Sequence, residues 1–261
     1  MKIGICRGLD DFDAIKNGVN SGVDYLETGF GCLANFTDEK FGEAQAYLKD
    51  MGLECVAANG FIPGEMKLVG NDVDYVALSE YIDRGFSRAG KLGVKTVVFG
   101  SGKARSFDEG FPLEKAKEQL AYFLSEYAAP RAEKAGAIIV MEPLRFCEST
   151  MIYTVSDGIE IAEMCGKNNV KTLADLYHVY GNEDSVDYIS QCYGKVFHAH
   201  IAHPVTRNYP SINDEDEVKA IYRKFFDALK SCGCNTCSIE ARTDDFSKDI
   251  VDAIKLIKDL I

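Results

Sequence analysis

Eight short apolar runs punctuate this chain, and between them lie stretches patterned as helices. The runs are Lys2–Cys6, Val23–Glu27, Glu54–Ala58, Thr96–Phe99, Ile138–Glu142, Thr172–Asp175, Val196–His200 and Cys237–Glu240. Most lack polar alternation, the pattern of parallel strands covered on both faces. Helix-like stretches fill the gaps, including Lys40–Met51, Tyr75–Leu92, Leu113–Ala135, Glu217–Cys232 and Lys248–Ile261. Ile250, Ala253, Ile254 and Ile257 form an apolar stripe on the last of these. Pro130 should kink or break Leu113–Ala135. Gly52, Gly93, Gly136 and Gly233 follow helices, where glycine caps most readily. Eight βα units predict an α/β fold, a closed (β/α)8 barrel, as one domain over residues 1–261. An open doubly wound sheet is the alternative, and it lacks a GxGxxG after the first strand.

Charge and composition narrow the function. Hydrophobic residues make up 46 % and charged residues 27 % of 261, enough for a sizeable core. The net charge of −12 repels phosphate backbones, so no nucleic-acid partner is expected. No run is long and apolar enough to span a bilayer, and no export signal is visible, so the expected setting is cytoplasmic, without membrane contact. Nine scattered cysteines then read as reduced thiols. Cys232, Cys234 and Cys237 cluster, but a structural zinc site wants four ligands, so they read as small residues before a strand.

In a parallel barrel the C-terminal strand ends share one rim, where active sites sit. Glu142, Asp175, His200 and Glu240 lie at the ends of the last four runs, about one βα repeat apart. Each acid alone is compatible with a solvated loop carboxylate. Together they form an O/N ligand set suited to Mn²⁺, Mg²⁺ or Co²⁺, with Zn²⁺ still in the set. Strand alternation puts His198 on the face of His200, one layer deeper, as a supporting group or a satisfied core histidine. His203 lies past the strand, to touch substrate or simply to be exposed. The turn Phe99–Ser106 (FGSGKARS) reads as a structural loop near the rim, with phosphate binding by Lys103 and Arg105 the lesser reading.

Six segments carry a family resemblance. They are NGFIPGEMKLVG (Asn59–Gly70), VVFGSGKARS (Val97–Ser106), MEPLRFCE (Met141–Glu148), ADLYHV (Ala174–Val179), HAHIAHPVTR (His198–Arg207) and SIEAR (Ser238–Arg242). In this order they resemble the xylose isomerase-like barrels of sugar isomerases and epimerases. They are most similar to the branch with D-tagatose/D-psicose 3-epimerases and hydroxypyruvate isomerase-like proteins. The resemblance implies one divalent metal, Mn²⁺ first, held by Glu142, Asp175, His200 and Glu240. It makes Glu142 and Glu240 the proton-transferring pair, and Glu148, His178 and Arg207 the substrate-binding residues. The chain departs from the family at His203, where an acidic residue is common, and that departure bears on the substrate. Oligomerisation is expected from the resemblance alone, with Phe225, Phe226 and the final helix facing either a partner or the barrel.

The implied chemistry has its own logic. A C–H next to a carbonyl is weakly acidic, and a divalent ion on the carbonyl and neighbouring hydroxyl stabilises the enediolate left by deprotonation. Two carboxylates can remove a proton and return one to the opposite face or to the neighbouring carbon. The expected activity is therefore isomerisation or epimerisation of a small keto-sugar or polyol. An inosose dehydratase-like lyase, a non-catalytic sugar-binding barrel and endonuclease-type phosphodiester hydrolysis are the alternatives.

Overall fold

The computed structural model of the protein describes residues 1–261. Eight parallel strands close into a barrel in sequence order, with β1 paired to β8. They are β1 (Lys2–Cys6), β2 (Tyr25–Gly29), β3 (Glu54–Asn59), β4 (Thr96–Phe99), β5 (Ile138–Met141), β6 (Val170–Asp175), β7 (Val196–Ile201) and β8 (Thr236–Ile239). The second strand starts and ends two residues later than expected. Leu53, Val94 and Ala137, just ahead of β3, β4 and β5, are buried together with most strand residues, so each run is covered on both sides.

The outer ring follows from helix patterning. Ile250, Ala253, Ile254 and Ile257 are all buried on the final helix, Phe246–Leu260. Phe225 and Phe226 on Asp216–Ser231 are fully buried, so both face the barrel and neither is offered to a partner. Gly52, Gly93 and Gly136 take the left-handed conformation at helix C-caps, and each N–H closes back on the last turn. Gly233 is also left-handed, one residue beyond a cap formed by Cys232.

Pro130 neither breaks nor sharply ends its helix. Leu113–Tyr122 runs through a π-helical segment, Phe123–Ala128, into Ala129–Ala135, where proline occupies the first turn. The wider turn absorbs the missing N–H and the ring's bulk. Four helices of six residues or fewer, Phe30–Asn35, Gly102–Arg105, Leu176–Gly181 and Val186–Gln191, were not expected.

Candidate active site

Register brings the strand-end residues to one level. Asp175 and His200 are partners across the β6–β7 pair. Ser238 stands opposite His200 on β8. Glu240 follows just past that strand, its N–H donating to the Ile201 carbonyl at 3.2 Å. Glu142 follows β5 in the same manner, donating to the Phe99 carbonyl at 3.2 Å. Ligand atoms of Glu142, Asp175, His200 and Glu240 all lie within 4.8 Å of one another. The His200 Nδ1 is 3.1 Å from Glu142 Oε1, 3.6 Å from Glu240 Oε2 and 3.9 Å from Asp175 Oδ2.

Each carboxylate is held from behind. Asp175 caps the helix Leu176–Gly181, with Oδ1 accepting from the Tyr177 N–H at 2.7 Å and the His178 N–H at 3.4 Å. That leaves Oδ2 for the cluster. Glu142 packs against Gly100, where a β-carbon would collide with Oε2, so only glycine permits the approach. The fully buried Arg105 donates from Nη2 to the Glu142 carbonyl at 2.9 Å and from Nε to Ser149 Oγ at 3.2 Å. Burial lowers this guanidinium to about 10. Arg105 thus points inward, bracing the turn at Phe99–Ser106, and is not available for a phosphate.

The cluster's electrostatics are unbalanced. Burial, then the neighbouring Glu240 charge, push Asp175 up to about 6. Burial raises Glu142 as well. For His200, burial pulls downward, but Glu27, Glu240 and Glu142 outweigh it and hold the imidazole well above its ordinary value. Three carboxylates thus converge on one imidazole, with Arg207 as the near cation. Buried negative charge in such excess calls for a counter-charge. The donor set fits a hard or borderline divalent ion, so these four residues are a suitable metal cradle.

The remaining site residues lie around the cluster. Arg207 donates from Nη2 to Glu240 Oε2 at 2.7 Å, and its Nη1 lies 3.8 Å from Glu148 Oε1. Its guanidinium lies 4.9 Å from the Tyr177 ring centre, and that of Arg145 lies 4.1 Å from the same ring. Arg207 has φ +61°, a left-handed backbone that costs a non-glycine residue about 1 kcal/mol or more. The preceding turn compensates, since His203 Nδ1 accepts from the Val205 and Thr206 N–H groups. His203 is therefore a turn-former. Buried His178 has no hydrogen-bond partner at either ring nitrogen, and burial lowers its pKa. A neutral imidazole in that position can donate to or accept from a hydroxyl or carbonyl oxygen. A cleft of about 740 Å³ opens beside Glu148, walled by Leu144, Phe146, Lys67 and Lys103.

One family description, xylose isomerase-like TIM barrel, matches residues 15–260. The chain belongs to this family. D-psicose 3-epimerase of Agrobacterium fabrum (strain C58 / ATCC 33970) is 25% identical over 175 residues. That match spans 63% of this chain and 57% of the relative, less than two thirds of its length. Among solved structures, 3-keto-D-glucoside 4-epimerase from E. coli superposes with a TM-score of 0.81 at 20% identity, covering 99% of both chains. D-psicose 3-epimerase with D-tagatose, from Clostridium cellulolyticum H10, gives 0.79 at 22% identity, over 100% of this chain and 91% of the other. At these identities the structural likenesses speak for the fold.

Glu27 was not anticipated. It is fully buried on β2, accepting from His198 Nε2 at 2.9 Å and His200 Nε2 at 2.8 Å. His198 is thus both a satisfied core histidine and a neighbour of the cluster's support. The apolar pattern ends the second run at Glu27, but in the structure β2 continues to Gly29 and carries Glu27 in its middle. The three clustered cysteines are buried, and Cys232 and Cys234 donate to the Leu229 and Thr236 carbonyls. No helix is long and apolar enough to cross a membrane.

Proposed function

We propose that this chain is a divalent-metal-dependent isomerase or epimerase of a small keto-sugar or related polyol. The observation that carries the reading is the convergence of Glu142, Asp175, Glu240 and His200 Nδ1 at the C-terminal mouth. The names of the relatives, epimerases of psicose and of a keto-glucoside, support the substrate class.

In this reading Glu142, Asp175, His200 and Glu240 hold one ion, with Mn²⁺ the first choice and Mg²⁺, Co²⁺ or Zn²⁺ as alternatives. When bound, the ion would polarise the substrate carbonyl and acidify the neighbouring C–H. Glu142 and Glu240 reach the site from β5 and β8 and form the proton-exchanging pair. One carboxylate takes the proton from the carbon beside the carbonyl. The other returns a proton to the opposite face of that carbon, inverting it, or to the adjacent carbon, moving the carbonyl. Arg207 orients Glu240 through their 2.7 Å contact and offers further N–H groups to substrate oxygens. His178, with both nitrogens free, binds a substrate oxygen, as does Glu148 at the cleft.

The test combines metal content with solvent exchange. Stripped protein reloaded with Mn²⁺ should bind one ion per chain, and Asp175→Ala should abolish that site. With a panel of keto-sugars in D₂O, wild-type protein should place deuterium on carbon. Glu240→Gln should lower that exchange by about 10²–10⁴-fold while melting stays cooperative. Full exchange in Glu240→Gln would falsify the acid–base assignment. Loss of water from the product would replace the epimerase reading with a lyase.

A further inference from the structure

The cradle has a second layer on the far side of His200. Strand alternation places His198 and His200 on the same face of β7, with ring centres 5.5 Å apart and planes at 82°. Both rings turn their Nε2 toward one carboxylate, Glu27 on β2, which is separated from β7 by β8 and β1. Each Glu27 oxygen takes one imidazole. All three side chains have no solvent exposure, so water does not substitute for these bonds.

We infer that Glu27 is a positioning residue that fixes both imidazoles as Nε2–H tautomers and so reserves the Nδ1 lone pair of His200 for the metal centre. The inference rests on the metal-centre reading proposed above. An ionised carboxylate only accepts, so each Nε2 facing it must carry the proton. In neutral His200 the unprotonated nitrogen is then Nδ1, the atom that faces Glu142, Glu240 and Asp175. The same logic runs outward through His198. Its Nδ1 must accept, and Thr236 Oγ1 at 2.8 Å is the donor. Ser238 Oγ lies 3.4 Å from His198 Nε2 and 2.9 Å from the Tyr25 hydroxyl, closing the group from the side. A metal-ligating histidine is commonly held by a carboxylate on its other nitrogen. Here one carboxylate serves that histidine and a second one, which ties ring orientation to β2, β7 and β8 together.

Cys6, Glu27 and His200 also bring potential ligand atoms within 4.8 Å of one another. We do not assign an ion there, because both Glu27 oxygens and His200 Nε2 are already engaged with each other.

Two measurements on the full chain decide the matter. The first is Mn²⁺ titration of chelator-stripped wild type and Glu27→Gln. The expected result is one ion per chain in both, with affinity about 10–100-fold weaker in the variant and melting still cooperative. The second is ¹⁵N-histidine NMR of Zn²⁺-loaded wild type, which does not depend on the variant folding. It should show the proton on Nε2 in both His198 and His200. Equal affinity in Glu27→Gln, an Nδ1–H tautomer at His200, or a second ion lost only in that variant would each overturn the inference. Wild-type protein that binds no ion would instead remove the metal centre itself, a separate failure read before any variant is made.

Discussion

The C-terminal ends of β2–β4 and of β5–β8 are built to opposite specifications. At the C-terminal ends of β2, β3 and β4 the chain presents Phe30, Phe61 and Phe99, all fully buried. Phe61 meets Phe30 and Phe99 edge-on at 4.8 and 5.2 Å, and Phe86 at 5.5 Å. The contacts there are mainly apolar, with Thr28 Oγ1 on β2 a lone buried hydroxyl without a hydrogen-bond partner. At β5–β8 the same positions hold Glu142, Asp175, His200 and Glu240, with an unpartnered His178 beside them. One half of the rim secures the barrel; the other keeps polar groups crowded and under-compensated. Unspent interactions mark the half that is arranged to receive something.

That contrast can be broken from either side. The largest expected effect is on the aromatic half: Phe61→Ala should cost about 3–5 kcal/mol in denaturant unfolding. Its folded fraction should still bind Mn²⁺ with wild-type affinity, and weakened binding would mean that the halves are not separable. On the polar half, ion binding should itself stabilise the fold. Metal at a hundred times its dissociation constant should add about 2.7 kcal/mol to unfolding, and the gain should vanish in Asp175→Ala. A next smaller effect is expected from Gly100→Ala, whose new methyl group would displace Glu142. Metal affinity should fall about tenfold, equivalent to about 1.4 kcal/mol, as read by calorimetric titration. The smallest belongs to Thr154, which forms a capping box with Asp157 at the start of Val155–Cys165, outside β5 and β6. Thr154→Ala should cost about 1 kcal/mol and leave metal affinity unchanged, since the helix supports the site without entering it.

Much of this molecule is legible in its sequence, for identifiable reasons. Continuous apolar runs and post-helical glycines reveal a parallel barrel because burial on both faces removes polar alternation. The four strand-end residues stand out because each closes an apolar run about one βα repeat from the next, and closure of the barrel gathers such ends on one rim. Glu27 escapes because its partners lie 171 and 173 residues downstream and because YLETG resembles a strand running out into solvent. His198 then stays ambiguous, its role being set by Glu27. Helices such as Phe30–Asn35 are less than two turns long, too short for a periodic pattern to register. Pro130 announces a disturbance, but not the π-helical turn that accommodates it.

Asp175 has a consequence of its own. One carboxylate oxygen anchors the first turn of Leu176–Gly181 while the other faces the cluster. Any ion drawn to that second oxygen also immobilises the first, and local opening of the backbone there becomes linked to occupancy. The Tyr177 and His178 amide protons would then exchange with solvent more slowly as the mouth fills. Two ordinary peptide groups thereby become a built-in gauge of what the barrel is holding.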